Sequence, residues 1–292
     1  MQDTQTNAEQ SLLWNGTSGY AWVEEQALLD HILRPFETLL VEAVSARSAT
    51  HVLDVGCGTG GTTLAVAHML GTKGRSIGVD ISAPMIAVAR TRAEREGATA
   101  EFLHADAQTH AFARASADMI ISRFGVMFFD DPIAAFANLR RAATDDAALH
   151  FFAWRRPADN PFMTTAERAA KPLLPDMPSR EPDAPGQFAL ADPDRIGRIL
   201  AESGWADIDI RPVDVRCAFP ETEMIRYFTR LGPLARVLPQ VDERTRREVV
   251  ETVRAAFDPY VHGGEVRFDA ACWVVGARPA RTPTEAGRAG NV

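Results

Sequence analysis

A glycine-rich loop between a short apolar run and a helical stretch constrains the fold of this chain more than any other feature. Residues 51–56 read HVLDVG, which is typical of a buried strand, and a helical pattern continues from the loop to about Leu70. Glycines let a backbone turn tightly and approach a ligand closely, and the start of the next helix offers unpaired N–H groups. The pattern therefore predicts a strand–loop–helix unit that binds a cofactor.

The rest of the chain alternates short apolar runs with amphipathic stretches, as expected for a mostly parallel sheet flanked by helices. We predict further strands at residues 75–80, 101–105, 118–122, 147–154, 206–215 and 265–276, and helices at residues 83–96, 133–143, 196–203, 221–238 and 242–257. Eight of the 18 prolines lie between Pro157 and Pro193. Prolines exclude a long helix or a central strand there, so this segment is predicted to be a lid.

Composition narrows the class of protein. The chain has 292 residues, of which 46% are hydrophobic and 24% charged, with a formal net charge of −8, as in ordinary globular proteins. An acidic balance without a basic stripe argues against a nucleic-acid partner. The three cysteines are far apart in sequence, so neither a disulfide framework nor a metal site is expected. The sequence has neither a long apolar run nor the features of a signal peptide. We therefore expect a cytoplasmic protein without a membrane partner.

Three carboxylates stand at or just after the ends of the first three predicted strands. Asp54 suits a cofactor that bears an ammonium group, Asp80 can accept both hydroxyls of a ribose, and Asp106 can accept the amine of an adenine. The glycines also satisfy the dinucleotide fingerprint, with Asp80 about 20 residues further on, which leaves a nicotinamide cofactor as an alternative. No phosphate clamp is apparent beside the loop, which favours a cofactor without a pyrophosphate.

These residues resemble the class I S-adenosylmethionine-dependent methyltransferases, in the D-x-G-x-G-x-G loop of residues 54–60 and the acids Asp80 and Asp106. Within the class, the chain is similar to the quinone-biosynthesis C-methyltransferases of the small-molecule branch. The resemblance implies an α/β fold: a Rossmann-like, doubly wound, seven-stranded sheet with the last strand antiparallel, here with a helical lid. It implies S-adenosylmethionine as cofactor, S-adenosylhomocysteine as product, and the following cofactor-binding residues: Asp54, Gly56, Cys57, Gly58, Gly60, Asp80, Ile81, Met85, Asp106, Ala107 and Arg123.

The fold divides the chain into seven predicted segments. They are an N-terminal segment covering the active site (1–34), a cofactor-binding core (35–156), a proline-rich lid segment (157–192), a continuation of the core (193–216), a helical lid insertion (217–263), the last core strand (264–277) and a disordered tail (278–292). A dimerisation surface is the alternative role for the lid, so a homodimer is among the predictions.

Substrate-binding residues are predicted where this fold covers the cofactor. Trp14, Tyr20 and Trp22 lie in what reads as an irregular stretch before the first core helix, and packing of the N-terminal segment onto the sheet is their alternative role. Phe124 follows the fourth strand and Trp154 ends the fifth. His262, in a glycine-rich turn before the last strand, is the candidate general base.

We therefore predict an enzyme that transfers a methyl group from S-adenosylmethionine to a small-molecule acceptor by in-line displacement. A first alternative keeps the cofactor but leads to cyclisation or decarboxylation, since one fold can host several chemistries. A nicotinamide-dependent oxidoreductase is a second alternative, although the Tyr-x-x-x-Lys pair is missing. A binding or regulatory protein with a vestigial pocket is the third.

Overall fold

The computed structural model describes residues 7–178, 180 and 184–280. The helices are α1 (Ala8–Asn15), α2 (Thr17–Glu24), α3 (Gln26–Arg47), α4 (Gly61–Leu70), α5 (Ala83–Glu96), α6 (Pro132–Ala142), α7 (Pro161–Ala170), α8 (Pro193–Glu202), α9 (Met224–Arg230), α10 (Gly232–Val237) and α11 (Glu243–Ala256). The strands are β1 (His51–Val55), β2 (Arg75–Asp80), β3 (Ala100–His104), β4 (Ala117–Arg123), β5 (Ala143–Trp154), β6 (Trp205–Pro220), β7 (Val261–His262) and β8 (Glu265–Pro279).

The strands of the described part of the chain form one sheet in the order β3-β2-β1-β4-β5-β8-β6, and the two-residue strand β7 pairs with the start of β8. The pairs among β1 to β5 are parallel, whereas β8 runs antiparallel to both β5 and β6. The predicted α/β fold with an antiparallel last strand is thus confirmed. The chain order reverses between β1 and β4, and a ligand crevice forms at such a reversal, outside the carboxyl ends of the strands.

Local sequence explains where several helices begin. Asp131, Asp192 and Asp242 each precede a helix and accept a hydrogen bond from a backbone N–H of its first turn. Such N-caps satisfy donors that the helix itself leaves unpaired. Helices α6 and α8 also begin with a proline, whose fixed φ angle suits the first helical position.

The core lies between the sheet and the helices packed on it. Phe36, at the centre of α3, is fully buried and contacts the rings of Phe124, Phe152 and Trp154 with centroid separations of 4.8, 5.1 and 6.1 Å. A long helix therefore packs directly beneath the end of the strands that carry the predicted site. No helix in the described ranges has the length and apolar character needed to cross a bilayer.

Some boundaries and elements differ from the sequence-based predictions. The stretch around Trp14 and Tyr20 is not irregular, since it forms α1 and α2, which meet at Gly16. The proline-rich segment contains one short helix, α7, because Pro161 occupies its first turn and no proline follows within it.

The other differences lie near the C-terminal end. The helix predicted at residues 221–238 is broken at Leu231, which is extended, before Gly232 with φ of 81° and Pro233. Strand β8 continues to Pro279, so the predicted tail begins later than residue 278. The remainder of the tail, residues 281–292, lies outside the described residues, as do residues 1–6 of the N-terminal segment.

Candidate functional site

The glycine loop and the turn after β4 touch at the reversal of the sheet. Gly56 has a φ of 69°, and the backbone N–H groups of Gly56 and Cys57 donate to the carbonyl of Val79 at 2.8 and 3.1 Å. A Cβ atom on Gly56 would lie 2.5 Å from Cα of Gly125. Only a pair of glycines permits this approach, which closes the floor of the crevice.

Asp80 holds the two loops that border the crevice. Its Oδ2 accepts the N–H of Gly58 and its Oδ1 accepts the N–H of Ser82, each at 2.8 Å. Burial raises the pKa of the Asp80 carboxyl, and these two hydrogen bonds oppose the shift. A carboxylate has about four acceptor positions, so Asp80 can still accept two hydroxyl groups from a ligand.

Asp54 lies beneath the glycine loop with only half of its carboxylate satisfied. It is 1% exposed; Oδ2 accepts the hydroxyl of Thr63 at 2.6 Å, whereas Oδ1 has no hydrogen-bond partner among the described residues. Burial raises the pKa of Asp54 to about 6, opposed by the Thr63 hydrogen bond and the positive charge of Arg123. A buried acceptor without a partner is rare in folded proteins and indicates a missing donor.

Arg123 complements Asp54. Its Nη1 is buried without a hydrogen-bond partner in the described part of the chain, and lies 3.9 Å from Oε2 of Glu37. An unpaired acceptor on Asp54 and an unpaired donor on Arg123 together match a zwitterionic amino-acid group, with its ammonium and carboxylate. The residues present therefore fit the amino-acid end of S-adenosylmethionine.

The adenine end is predicted at Asp106. Its Oδ1 accepts the N–H of Gln108 at 2.9 Å and the side-chain amide of Asn7 at 3.3 Å. Ile81 and Ala107 line the cavity beside it. The carboxylate is thus held in place by two donors and has acceptor positions left for an exocyclic amine.

The N-terminal helices cover this end of the crevice. The side chain of Asn15 donates to the carbonyl of Ile81 at 3.0 Å and accepts the N–H of Ala83 at 2.8 Å, and the hydroxyl of Ser82 donates to the carbonyl of Trp14 at 2.6 Å. The helices α1 and α2 are therefore fixed to the loop after β2, above the predicted cofactor.

One cavity of about 760 Å³ extends from the glycine loop to the lid. Its lining includes the backbone of the glycine loop, the acids of the cofactor end, and rings from the turn after β4 and from β5, α7 and α9. Phe124 and Trp154 are stacked within it, with centroids 4.4 Å apart and an angle of 9° between their planes. Volumes of about 300–1,000 Å³ are usual for small-molecule sites.

Most of the predicted site residues meet at this cavity, and some do not. It is lined by Gly56, Gly58, Asp80, Ile81, Met85, Asp106, Ala107, Arg123, Trp14, Trp22, Phe124 and Trp154. Asp54, Cys57 and Gly60 are not part of the lining: Asp54 lies directly beneath the glycine loop, and Cys57 and Gly60 lie behind it. Cys57 packs close to Gly78, and Gly60, with φ of 87°, lies against Phe102 and Ala89, so their part is to shape the loop.

Two further predicted residues, Tyr20 and His262, also do not reach the cavity. Tyr20 is 58% exposed on α2, because this helix turns Trp22 towards the cavity and leaves Tyr20 on its outer face. His262 is exposed in the short β7–β8 hairpin and is not part of the lining. We therefore do not retain the two residues in the site.

Sequence reasoning missed the residues that the N-terminal and lid segments contribute. Asn7 and Gln10 line the cofactor end, and Phe162, Arg180 and Tyr227 line the lid end. The signal for Phe162 and Arg180 was the proline content of their segment, and that for Tyr227 was its place in the predicted helical lid insertion. Nothing in the local sequence showed which of their faces turns inward.

The family comparison agrees with this geometry. Residues 52–146 match the model of a methyltransferase domain. An uncharacterised protein of Mycobacterium tuberculosis strain H37Rv is 28% identical over 52% of this chain, and the match spans 54% of that relative, so the chain spans about half the length of the first curated relatives. A demethylmenaquinone methyltransferase of Renibacterium salmoninarum is 27% identical over 61% of this chain and 76% of its own length.

A solved structure, the YcgJ protein of Bacillus subtilis, superimposes with a TM-score of 0.55 at 16% identity, covering 84% of this chain and 98% of the other. At this identity the likeness shows the fold alone. This likeness in fold covers 84% of the chain and so extends beyond residues 52–146, which match the family model.

Proposed function

Because the chain carries a methyltransferase domain of the class I S-adenosylmethionine-dependent family, we propose that it transfers a methyl group from this cofactor to a small-molecule acceptor by in-line displacement. The observation that carries the proposal is the single cavity, lined at one end by the glycine loop with Asp80 and Asp106 and at the other by aromatic lid residues. A cofactor site and an acceptor site in one cavity are what a group transfer requires.

The chain's own residues hold the cofactor along this edge of the sheet. Arg123 lines the cavity at the amino-acid end, with Asp54 beneath the glycine loop there, whereas Asp80 would bind the ribose hydroxyls and Asp106 the adenine amine. Gly58, with φ of 55°, lines the cavity, and a Cβ there would approach Met85 Sδ at 3.6 Å and project beside the ligand. The bound cofactor supplies an electrophilic sulfonium methyl group, and the protein's part is alignment.

Aromatic rings exclude water from the point of transfer. Phe124 and Trp154 are 7% and 5% exposed, and Trp14 packs edge-on against Phe128 at 5.1 Å. A dry site strengthens the electrostatic interactions within it and protects a reactive centre from hydrolysis. These rings would also fix the direction from which the acceptor approaches.

No general base is assigned, since His262 lies outside the cavity. Acceptors that are already nucleophilic, such as an acidic oxygen or a sulfur, need little help with proton removal. The acidic composition supports a small-molecule acceptor without a nucleic-acid partner. A cytoplasmic location and the lack of a membrane partner also belong to the proposal. The proposed segment boundaries and a homodimer through the lid also stay proposals.

Calorimetry with S-adenosylhomocysteine, followed by turnover with methyl-labelled S-adenosylmethionine, tests the proposal. We expect binding that Asp80→Asn weakens, and a labelled methyl group in the product formed from a panel of phenols, carboxylic acids, amines and thiols. The variant Asp145→Asn is the control, because Asp145 is 98% exposed and lies outside the cavity lining. Product formed without the label would instead identify a non-methylating reaction, and binding of NADH in place of S-adenosylhomocysteine would identify an oxidoreductase.

A further inference from the structure

Aromatic rings form a large part of the lid side of the cavity, beside charged residues such as Glu167 and Arg180. Phe162 of α7 lies 5.6 Å from Tyr227 of α9 and 5.2 Å from Phe257, measured between ring centroids, and the three rings line the cavity. On the sheet side, Phe124 and Trp154 form a stacked pair in the same lining. Aromatic rings on both sides favour a flat, largely apolar compound, because such a compound can contact ring faces and edges.

One group in the lid wall is polar and lacks a proper partner. The hydroxyl of Tyr227 contacts only Sδ of Met163, at 3.7 Å, and has no oxygen or nitrogen partner within the described residues. A thioether is a weak acceptor, so this hydroxyl can make a stronger hydrogen bond to a ligand oxygen in the cavity. Tyr260 differs, because it accepts a hydrogen bond from Thr165 at 3.4 Å and does not line the cavity.

We propose that Tyr227 determines substrate specificity by donating a hydrogen bond from its hydroxyl to an oxygen atom of a flat aromatic acceptor molecule. This inference rests on the proposed function, since it concerns the acceptor end of the same cavity. It names the substrate class as aromatic compounds that carry a carbonyl, carboxylate or phenolic oxygen. Oxygen-free aromatic compounds of the same shape leave the Tyr227 hydroxyl without a partner and bind less tightly.

The surroundings of Tyr227 determine which role its hydroxyl can take. Burial raises the pKa of Tyr227, and the nearby Cys217 and Glu167 act in the same direction. The phenol therefore stays protonated at neutral pH and serves as a donor rather than as a base. A donor aimed at an oxygen positions the acceptor molecule, and the proton itself is not transferred.

The test compares two probes of similar shape at saturating S-adenosylhomocysteine: 2-acetylnaphthalene, which carries a carbonyl acceptor, and 2-isopropylnaphthalene, which has no oxygen. Dissociation constants are measured for the wild type, Tyr227→Phe and the matched control Tyr260→Phe. The wild type should prefer the ketone by about 2- to 12-fold, the range for one net hydrogen bond. This preference should vanish in Tyr227→Phe and persist in Tyr260→Phe, with the affinity for 2-isopropylnaphthalene unchanged in both.

A spectroscopic readout does not depend on the variant at Tyr227. The carbonyl stretch of bound 2-acetylnaphthalene should shift to lower frequency in the wild type and in Tyr260→Phe, because a hydrogen bond weakens the C=O bond. Four results would overturn the inference. They are an unshifted carbonyl band, a preference for the ketone that survives in Tyr227→Phe, a preference that disappears in Tyr260→Phe, and no binding of either probe. Because S-adenosylhomocysteine binding is measured first, its absence would refute the proposed function, whereas failure of the naphthalene probes alone refutes only the role of Tyr227.

Discussion

The buried carboxylate of Asp54 is expected to make the affinity for S-adenosylhomocysteine fall as the pH is lowered through about 6. Burial raises the pKa of Asp54 to about 6, so much of the free protein carries a neutral carboxyl below that pH. A ligand ammonium placed at the unpaired Oδ1 requires the ionised form. Binding must then expel a proton, and this costs free energy that grows as the pH falls.

The expected magnitude follows from the linkage between protonation and binding. If the ammonium lowers the pKa of Asp54 well below 5, the dissociation constant rises by about tenfold at one pH unit below the free pKa and is nearly constant above pH 7. The stability of the ligand-free protein changes in the opposite sense. An acid whose pKa is raised from 3.8 to about 6 on folding loses stability as the pH rises across that interval, here by about 3 kcal/mol.

Calorimetry at about pH 5, 6, 7 and 8, in pairs of buffers with different ionisation enthalpies, measures both the affinity and the protons released. The wild type should release close to one proton per ligand at the acid end and none near pH 8. Asp54→Asn should bind more weakly at pH 7 and show a flat profile, whereas the exposed control Asp145→Asn should keep the wild-type profile. A pH dependence that survives in Asp54→Asn would refute the assignment of the ammonium to this carboxylate.

Three further changes test other parts of the site. Gly125→Ala should destabilise the protein by about 1–3 kcal/mol in thermal or urea unfolding, because its Cβ would lie 2.6 Å from Cα of Gly56. The matched Gly197→Ala, in a helix with nothing within 4 Å of the new methyl group, should stabilise it slightly. Asn15→Ala removes the hydrogen bonds that fix the N-terminal helices, so stopped-flow measurement should show faster release of S-adenosylhomocysteine. Asp106→Ala should weaken binding of this ligand in calorimetry by about 1–3 kcal/mol, and unchanged affinity would remove the adenine assignment.

The cofactor half of the site was predictable because its residues sit at the ends of strands. Asp54 is the next-to-last residue of β1, Asp80 ends β2 and Asp106 follows β3, and parallel strands end at one edge of a sheet. Once the alternation of strands and helices is identified, spacing along the chain determines position in space. Neither the unpaired Oδ1 of Asp54 nor its raised pKa could be predicted, because both depend on how completely α3 and the loop exclude water.

The lid half could not be predicted, because its geometry depends on contacts between distant segments. Phe162 and Tyr227 are 65 positions apart and meet through the packing of α7 and α9 against α11. The N-terminal stretch was misassigned because its glycines at positions 16 and 19 suggested a loop. Tertiary contacts outweigh that weak local preference: Gly19 packs against the backbone of Trp14, where a Cβ would lie 1.9 Å from its carbonyl oxygen.

Buried polar atoms without partners around the glycine loop also support a cofactor site at this edge of the sheet. Besides Asp54 and Arg123, the described residues Asn7 and Gln108 each keep one buried side-chain atom without a partner, and both lie at the adenine end. Each such group costs about 1–3 kcal/mol when it has lost water and gained nothing. A sequence selected for stability alone would replace them, since apolar residues of similar shape avoid that cost. Pairing of these four groups with a polar ligand is what the proposed cofactor site predicts.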